Sequence, residues 1–372
     1  MFKPPSIKNQ YWMPFMKSIK VLIIDDSKLM QKILTSLLSS DPGIQVIGCA
    51  DDAYIARDLI KTSNPDVVTL DIMMPHMDGI TFLKNLMRLH PMPVVMISTL
   101  TQSGNTFTME ALAIGAIDSI HKPSQRELVG KEYQKNLITV IKNAATANVR
   151  PYVPRQISEL DHVLYQAKLL RNVVIAIGAS TGGIEALESI LVDLPKVLPP
   201  IIITQHIKRE FCTAFVTRIN KLCSTNVCLG RNYDELLPGH AYIAPCDYHM
   251  LINKRHDRFY CMLHNGPPVN GHKPSVDILF HSVAKEAGPN AIGILLTGIG
   301  TDGAEGLKAI RDRGGKTMAQ NKESSVVWGM PGAAVKLDAA DYILPLSKIS
   351  KKILQLLSEK AENLSDQTVD SP

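Results

Sequence analysis

The sequence predicts an α/β protein built as two doubly wound parallel-sheet domains in tandem. Three observations carry that expectation. Residues 20–142 alternate short apolar runs with amphipathic stretches, and successive βα units of this kind close into a parallel sheet. Residues 145–170 break the rhythm with Pro151, Pro154 and a polar surround, which reads as a linker. From residue 173 to about 357 the βα pattern resumes. A chain of 372 residues suits two domains, each able to bury its own core. The expected division is a flexible leader over 1–18, a first domain over 19–143, a linker over 144–170, a second domain over 171–358 and a disordered tail over 359–372.

In the first domain, strands are expected at 20–24, 44–49, 67–70, 94–97 and 117–120, with helices at 27–40, 52–62, 80–89, 107–114 and 127–144. The first helix places Leu29, Met30, Ile33, Leu34, Leu37 and Leu38 on one face. In the second domain, strands are expected at 173–177, 201–204, 241–244, 292–296 and 316–319. Its helices are expected at 183–191, 211–222, 276–287 and 303–312.

Composition narrows the function classes. The net charge of +5 is small for this length and the basic residues are scattered, which leaves no nucleic-acid footprint. No stretch reaches the roughly 18 apolar residues of a membrane span. Residues 1–20 hold Pro4, Pro5 and Pro14 but no apolar core with a cleavage site, so they do not read as a signal peptide. Met16 opens a compact domain start and is an alternative to Met1 as the translation start. Cys49, Cys212, Cys223, Cys228, Cys246 and Cys261 form no C-x-x-C pair and read as reduced thiols.

Asp25 and Asp26 end the first expected strand and Asp71 ends the third. In a parallel sheet these carboxyl ends share one rim, where ligands bind. Three carboxylates there suit a hard cation such as Mg²⁺. Ser98 and Lys122 follow the fourth and fifth strands on the same rim and could neutralise a phosphoryl group. Any one of these residues could be an ordinary strand-end polar group, and Asp26 could cap the helix at 27. The joint occurrence of all five favours the anion-and-metal pocket.

In the second domain, VVIAIGASTGGIEAL reads as strand, tight turn and helix. Ser180 and Thr181 fall near the helix start. The turn alone is consistent with a plain connection, a dinucleotide cradle or a nucleophilic serine. A dinucleotide site calls for an acid at the end of the next strand, where this chain has Gln205 and His206. A serine nucleophile calls for a base there, and His206 supplies one. Asp302, in TGIGTDGAEGL, is the first candidate to orient His206, or it is only a helix cap. Asp247 is the second candidate. G-x-S-x-G is absent, so an ordinary α/β-hydrolase elbow is not expected. His272, Ser275 and Asp277 read first as a cap and helix start, and His281 as packing. Trp328, Met330 and Pro331 are open between cleft lining and core.

Residues 18–142 resemble response-regulator receiver domains through VLIIDDS, VVTLDIMMPHMDG, PVVMIST and HKPS. The resemblance implies a flavodoxin-like fold and phosphorylation of Asp71 by a sensor histidine kinase. It also implies Mg²⁺ held by Asp25, Asp26, Asp71 and the backbone of Met73, with Ser98 and Lys122 sensing the phosphoryl group. Two further points follow from it. Ser119 occupies a position that is often an aromatic switch, and the Lys122–Pro123 bond is often cis.

Residues 171–358 resemble the chemotaxis protein-glutamate methylesterases through IGASTGG, ITQH, LPGHAYIAP, NGPPVNGHKPSVDILFHSVA, LLTGIGTDGAEG and AQNKESSVVWGMP. That likeness implies a Rossmann-like esterase domain without a cofactor. Ser180, His206 and Asp302 would form the triad, with the oxyanion held near Ile299 and the Ser180–Thr181 turn. The substrates would be glutamyl γ-methyl esters, and glutamines, of methyl-accepting chemoreceptors. The chain would then act in the cytoplasm, recruited to receptor clusters, with no nucleic acid bound and no direct membrane insertion. Fusion to a phosphorylation site further suggests that the unphosphorylated first domain covers the esterase cleft. The alternative is a catalytically silent response-regulator adaptor that binds receptor or kinase.

Overall fold

The computed structural model describes residues 18–98, 102–129, 131–151 and 171–369. The leader, most of the linker and residues 370–372 lie outside the described residues.

The first sheet comprises β1 (Ile19–Ile24), β2 (Ile44–Ala50), β3 (Val67–Asp71), β4 (Val94–Ser98) and β5 (Asp118–His121). They are all parallel, in the order β2-β1-β3-β4-β5. The helices α1 (Lys28–Leu38), α2 (Ala53–Ser63), α3 (Gly79–Leu89) and α4 (Gln102–Ile114) connect them. The stretch expected as one helix at 127–144 carries α5 (Gln125–Val129) and α6 (Lys131–Ala145), with residue 130 outside the described residues. Central strands are buried on both faces, which explains their near-continuous Val, Leu and Ile. Three details correct the sequence reading. Ser27, not Asp26, caps α1 by accepting the Met30 N–H. Leu29 is exposed although the helical pattern grouped it with the core. Lys122–Pro123 is not cis, whereas Lys273–Pro274 is.

The second sheet has seven parallel strands. They are β6 (Val174–Ala179), β7 (Ile201–Gln205), β8 (Asn226–Leu229), β9 (His240–Ile243), β12 (Ala291–Leu295), β13 (Lys316–Gln320) and β14 (Tyr342–Leu344), ordered β14-β13-β12-β6-β7-β9-β8. The helices are α7 (Gly183–Val192), α8 (Arg209–Leu222), α9 (Val276–Ala287), α10 (Ala304–Asp312), α11 (Met330–Lys336) and α12 (Leu346–Val369). An antiparallel hairpin, β10 (His249–Arg255) with β11 (Arg258–His264), covers one face. The hairpin and β8, β14 and α11 go beyond the sequence expectation. The hairpin turns through His256 and Asp257, both at positive φ, as a two-residue turn between twisted strands requires. The tail expected from 359 is instead the end of α12. Ile349, Ile353, Leu356 and Leu357 anchor that helix in the core, and once nucleated it extends over the polar stretch. No described helix is long and apolar enough to cross a membrane.

The two domains share a packed boundary. Met109 and Ala113 of α4 belong to the apolar cluster beneath α7 and α8. Asn148 N–H donates to the Val326 carbonyl at 2.9 Å.

Candidate functional site

The first candidate site lies at the carboxyl rim of the first sheet. β1 and β3 are neighbours, so their ends bring Asp25, Asp26 and Asp71 together, one carboxylate oxygen of each lying within 4.8 Å of the others. Lys122, just after β5, places Nζ 2.8 Å from Asp25 and 2.8 Å from Asp71. Burial works against its charge, but its pairing with both carboxylates prevails and its pKa is raised. Ser98 is buried at the end of β4, and its carbonyl accepts the Lys122 N–H at 2.8 Å. Met73 reaches the pocket through a backbone N–H on Asp71 while its side chain is exposed. Asp25 Oδ2 is buried without an aligned hydrogen, although Lys122 stands beside it. With the oxygens of Asp26 and Asp71, it makes a donor set that fits a small divalent cation.

The second site lies where β12, β6 and β7 run side by side. Later strands add on both sides of β6, and open α/β sheets bind ligands at such a switch point. Ser180 leaves β6, His206 leaves β7 and Asp302 follows β12. Ser180 N–H donates to Thr297 at 3.0 Å, and His206 N–H to Ala179 at 3.0 Å. Buried Gln205 ties the two strand ends together, donating Nε2 to the carbonyls of Ser180 and His206, each at 2.9 Å. Gly298 lets the exit of β12 reach the serine, since a Cβ there would stand 2.7 Å from Ser180 Cβ. Ile299 therefore follows a backbone atom packed on the candidate nucleophile. Ser180 N–H is committed to Thr297, which removes it from the oxyanion donors expected of the Ser180–Thr181 turn.

His206 Nε2 pairs with Asp302 Oδ2 at 2.9 Å, both side chains being nearly enclosed. Nδ1 is buried with no hydrogen-bond partner. Asp302 also accepts Ser275 Oγ at 2.8 Å, Val276 N–H at 2.7 Å, Asp277 N–H at 3.2 Å and Asn270 Nδ2 at 3.0 Å. Burial opposes ionisation of Asp302, but these donors and His206 outweigh it and hold the carboxyl well below its ordinary range. Val276 and Asp277 open α9, so a helix N-terminus is directed at the carboxylate.

Asp302, the first candidate to orient His206, is the residue that contacts it, whereas Asp247, the second, pairs with Arg209 at 3.1 Å. Other sequence readings change here. Ser275 caps α9 and also supports Asp302. His272 stacks on His206 at 3.7 Å and 8° between planes, a contact that a helix-start reading misses. Burial, then the neighbouring His206, lowers the His272 pKa. His281 is exposed rather than packed. Met330 and Pro331 are buried, and Trp328 donates Nε1 to the Gln320 carbonyl at 3.0 Å. Gln205 and Asn270 carried no functional signal beyond their neighbourhood in sequence.

A cleft of about 340 Å³ opens over Ser180, Thr181, His206 and His272. Its opposite wall is Ala116, Ile117, Asp118 and Ser119 of the first domain. Lys208 Nζ crosses the boundary to the Ser119 carbonyl at 2.8 Å.

Comparison with known proteins follows this division. Residues 175–353 match the CheB methylesterase family model, and residues 21–133 match the response regulator receiver domain. The protein-glutamate methylesterase/protein-glutamine glutaminase 2 of Saccharophagus degradans is 48% identical over 344 residues, covering 91% of this chain and 99% of that one. The Salmonella typhimurium protein-glutamate methylesterase/protein-glutamine glutaminase is 45% identical over 345 residues, covering 92% and 98%. The crystal structure of the Thermotoga maritima CheB methylesterase catalytic domain is 33% identical, covering 50% of this chain and 98% of that one, with a TM-score of 0.49. By the two relatives matched across more than nine-tenths of its length and the two family models, the chain belongs to the CheB-type protein-glutamate methylesterase/protein-glutamine glutaminase family with an N-terminal receiver domain.

Proposed function

We propose that the chain hydrolyses glutamyl γ-methyl esters of chemoreceptors and deamidates receptor glutamines, under control of phosphorylation at Asp71 by a sensor histidine kinase. The observation that carries this reading is the enclosed Asp302–His206 pair beside Ser180 at three adjacent strand ends. The catalytic domain spans 171–358 and the receiver 19–143, joined by 144–170. The setting is cytoplasmic, at receptor clusters.

Ser180 Oγ attacks the ester carbonyl carbon while His206 Nδ1 takes its proton. Asp302 fixes the ring and stabilises the imidazolium. Backbone N–H groups of Thr181 and Ile299 receive the developing oxyanion. Collapse breaks the bond to methoxide, which leaves as methanol with the proton from His206. Water, deprotonated by His206, then releases the glutamate carboxylate and restores Ser180. With a glutamine substrate, ammonia leaves in the first step.

In the receiver, Asp25, Asp26, Asp71 and the backbone of Met73 would hold Mg²⁺, which neutralises charge on a phosphoryl group in transfer. Ser98 and Lys122 would contact its oxygens. The wall that Asp118 and Ser119 build against Ser180 supports a receiver that covers the cleft until phosphorylated. The test is methanol release from methyl-labelled chemoreceptor by wild type and Ser180→Ala, with and without acetyl phosphate. Release that needs Ser180 and rises with the phosphodonor is expected. No release from wild-type protein phosphorylated on Asp71 would reject the esterase and leave the adaptor.

A further inference from the structure

Val269 and His272 close a tight turn, each donating its N–H to the other's carbonyl, at 3.0 and 2.9 Å. Between them Asn270 and Gly271 have φ of 54° and 79°. Two consecutive positive φ values are what a two-residue hairpin turn needs, and Asn-Gly is the pair best suited to them. That explains the backbone and leaves the Asn270 side chain unexplained.

The side chain folds inward. Nδ2 donates to Asp277 Oδ2 at 2.7 Å and to Asp302 Oδ1 at 3.0 Å. A carboxamide nitrogen has two hydrogens, and here each goes to a different carboxylate. The two acids lie close enough that, beyond burial, the charge of Asp302 helps raise the pKa of Asp277. A neutral bridge with two donors on one atom relieves that repulsion without adding a charge that would compete with His206. Asp277 is itself anchored, since Oδ1 accepts the Gly306 N–H at 2.7 Å. The turn is thereby tied to the start of α9 and to α10.

The same turn ends on His272, whose ring lies on the face of His206. His206 is thus held at its edge by Asp302 Oδ2 and on its face by His272. Asn270 touches both supports: it binds the other oxygen of Asp302, alongside Ser275 and Asp277, and it ties down the turn that carries His272.

We infer that Asn270 is a positioning residue of the esterase reaction: its carboxamide ties the 269–272 turn to Asp302 and Asp277 and so fixes the plane in which His206 accepts and returns the serine proton. This rests on Ser180, His206 and Asp302 being the catalytic set.

The experiment uses full-length protein with acetyl phosphate and a glutamyl methyl ester substrate, comparing wild type, Asn270→Gly and Asn270→Asp, with Ser180→Ala alongside. Asn270→Gly keeps a residue at ease with positive φ and removes the carboxamide with its two donors. Its kcat should fall about ten- to a hundredfold, the loss expected for hydrogen bonds to a charged group, with KM little changed. Asn270→Asp keeps the turn but adds a carboxylate beside Asp302. That charge favours the protonated imidazole, so the acid limb of its kcat/KM profile should move to higher pH. Melting temperatures and phosphorylation of Asp71 establish that each variant is folded at the assay temperature. Wild-type kcat in Asn270→Gly would overturn the inference, as would an unmoved acid limb in Asn270→Asp. Activity that survives Ser180→Ala would overturn the catalytic set and this inference together.

Discussion

Lys208 of the esterase domain gives its ammonium to the carbonyl oxygen of Ser119 in the receiver, at 2.8 Å. Lys208 stands two residues after His206, and Ser119 stands three before Lys122. One contact therefore joins the strand end bearing His206, the proposed base, to the strand that leads to Lys122, the proposed phosphoryl sensor. Ser119 takes part through its backbone, so the contact operates where an aromatic switch residue is missing. Asp118 lies beside it, its carboxyl pushed up by burial and drawn back by the Lys208 charge.

Coupling between domains requires a contact that differs in free energy between the two states. Lys208→Met removes this one and should raise methanol release by the unphosphorylated chain by about tenfold, the scale of one hydrogen bond with a charged donor. The phosphorylated rate should change less, so the stimulation by acetyl phosphate shrinks. A stimulation ratio equal to wild type would show that the closed state does not use Lys208.

Asp302→Asn should lower kcat by roughly 10³–10⁴ while the substrate still binds, because the imidazole loses the partner that sets its tautomer. The same residue sets a stability trend with pH. Its carboxyl titrates lower when folded than when unfolded, so the stabilisation is fully present above the ordinary carboxylate range, near 3.8, and is lost as pH falls below it. Melting scans between pH 7 and pH 3 should show a steeper acid loss in wild type than in Asp302→Asn. Parallel curves would assign the acid sensitivity to other carboxylates.

Gly298→Ala should cost both activity and stability. The added methyl would stand 2.7 Å from Ser180 Cβ and press on Met330 Sδ, and both neighbours are buried. Overpacking of this kind costs about 1–3 kcal/mol. Displacement of Ser180 should add a fall in kcat beyond what the melting temperature explains. Fluorophosphonate labelling of Ser180 gives the readout: normal labelling kinetics in the variant would mean that the serine is not displaced.

Where candidate residues sit at strand ends, the sequence made their placement legible. Asp71, Ser180 and His206 come at the ends of apolar runs that read as strands of a parallel sheet, and the rim is then fixed by topology. Asp302 was harder, because a helix-start aspartate serves as cap or orienter with the same local pattern. His272, Asn270 and Gln205 were not legible as site residues. Their roles come from contacts between segments far apart in the chain, such as Asn270 with Asp302, and no period or local motif encodes those. The β10–β11 hairpin was missed because Leu251, Tyr260 and Met262 place large side chains on its outer face as well, which blurs the apolar alternation that marks a strand. The tail after 359 was misjudged because its composition is polar, while its helix is held by residues earlier in the same element.

The receiver pocket makes a prediction separable from the esterase. Asp71→Asn removes the acceptor yet leaves Ser180, His206 and Asp302 in another sheet untouched. Methanol release without phosphodonor should therefore stay near wild type, within about twofold, while the stimulation by acetyl phosphate disappears. Chelation with EDTA should have the same effect on wild-type protein, because Asp25, Asp26 and Asp71 crowd negative charge within 4.8 Å and an incoming phosphoryl group adds more. Lys122 is the only cation the structure places within ion-pair distance of that cluster among the described residues, and one ammonium cannot offset three carboxylates and a phosphoryl group. Stimulation that persists in EDTA would mean that Lys122 suffices and the acidic triad does not work through a metal. Loss of the basal rate in Asp71→Asn would mean instead that the receiver contributes to the folded esterase cleft itself.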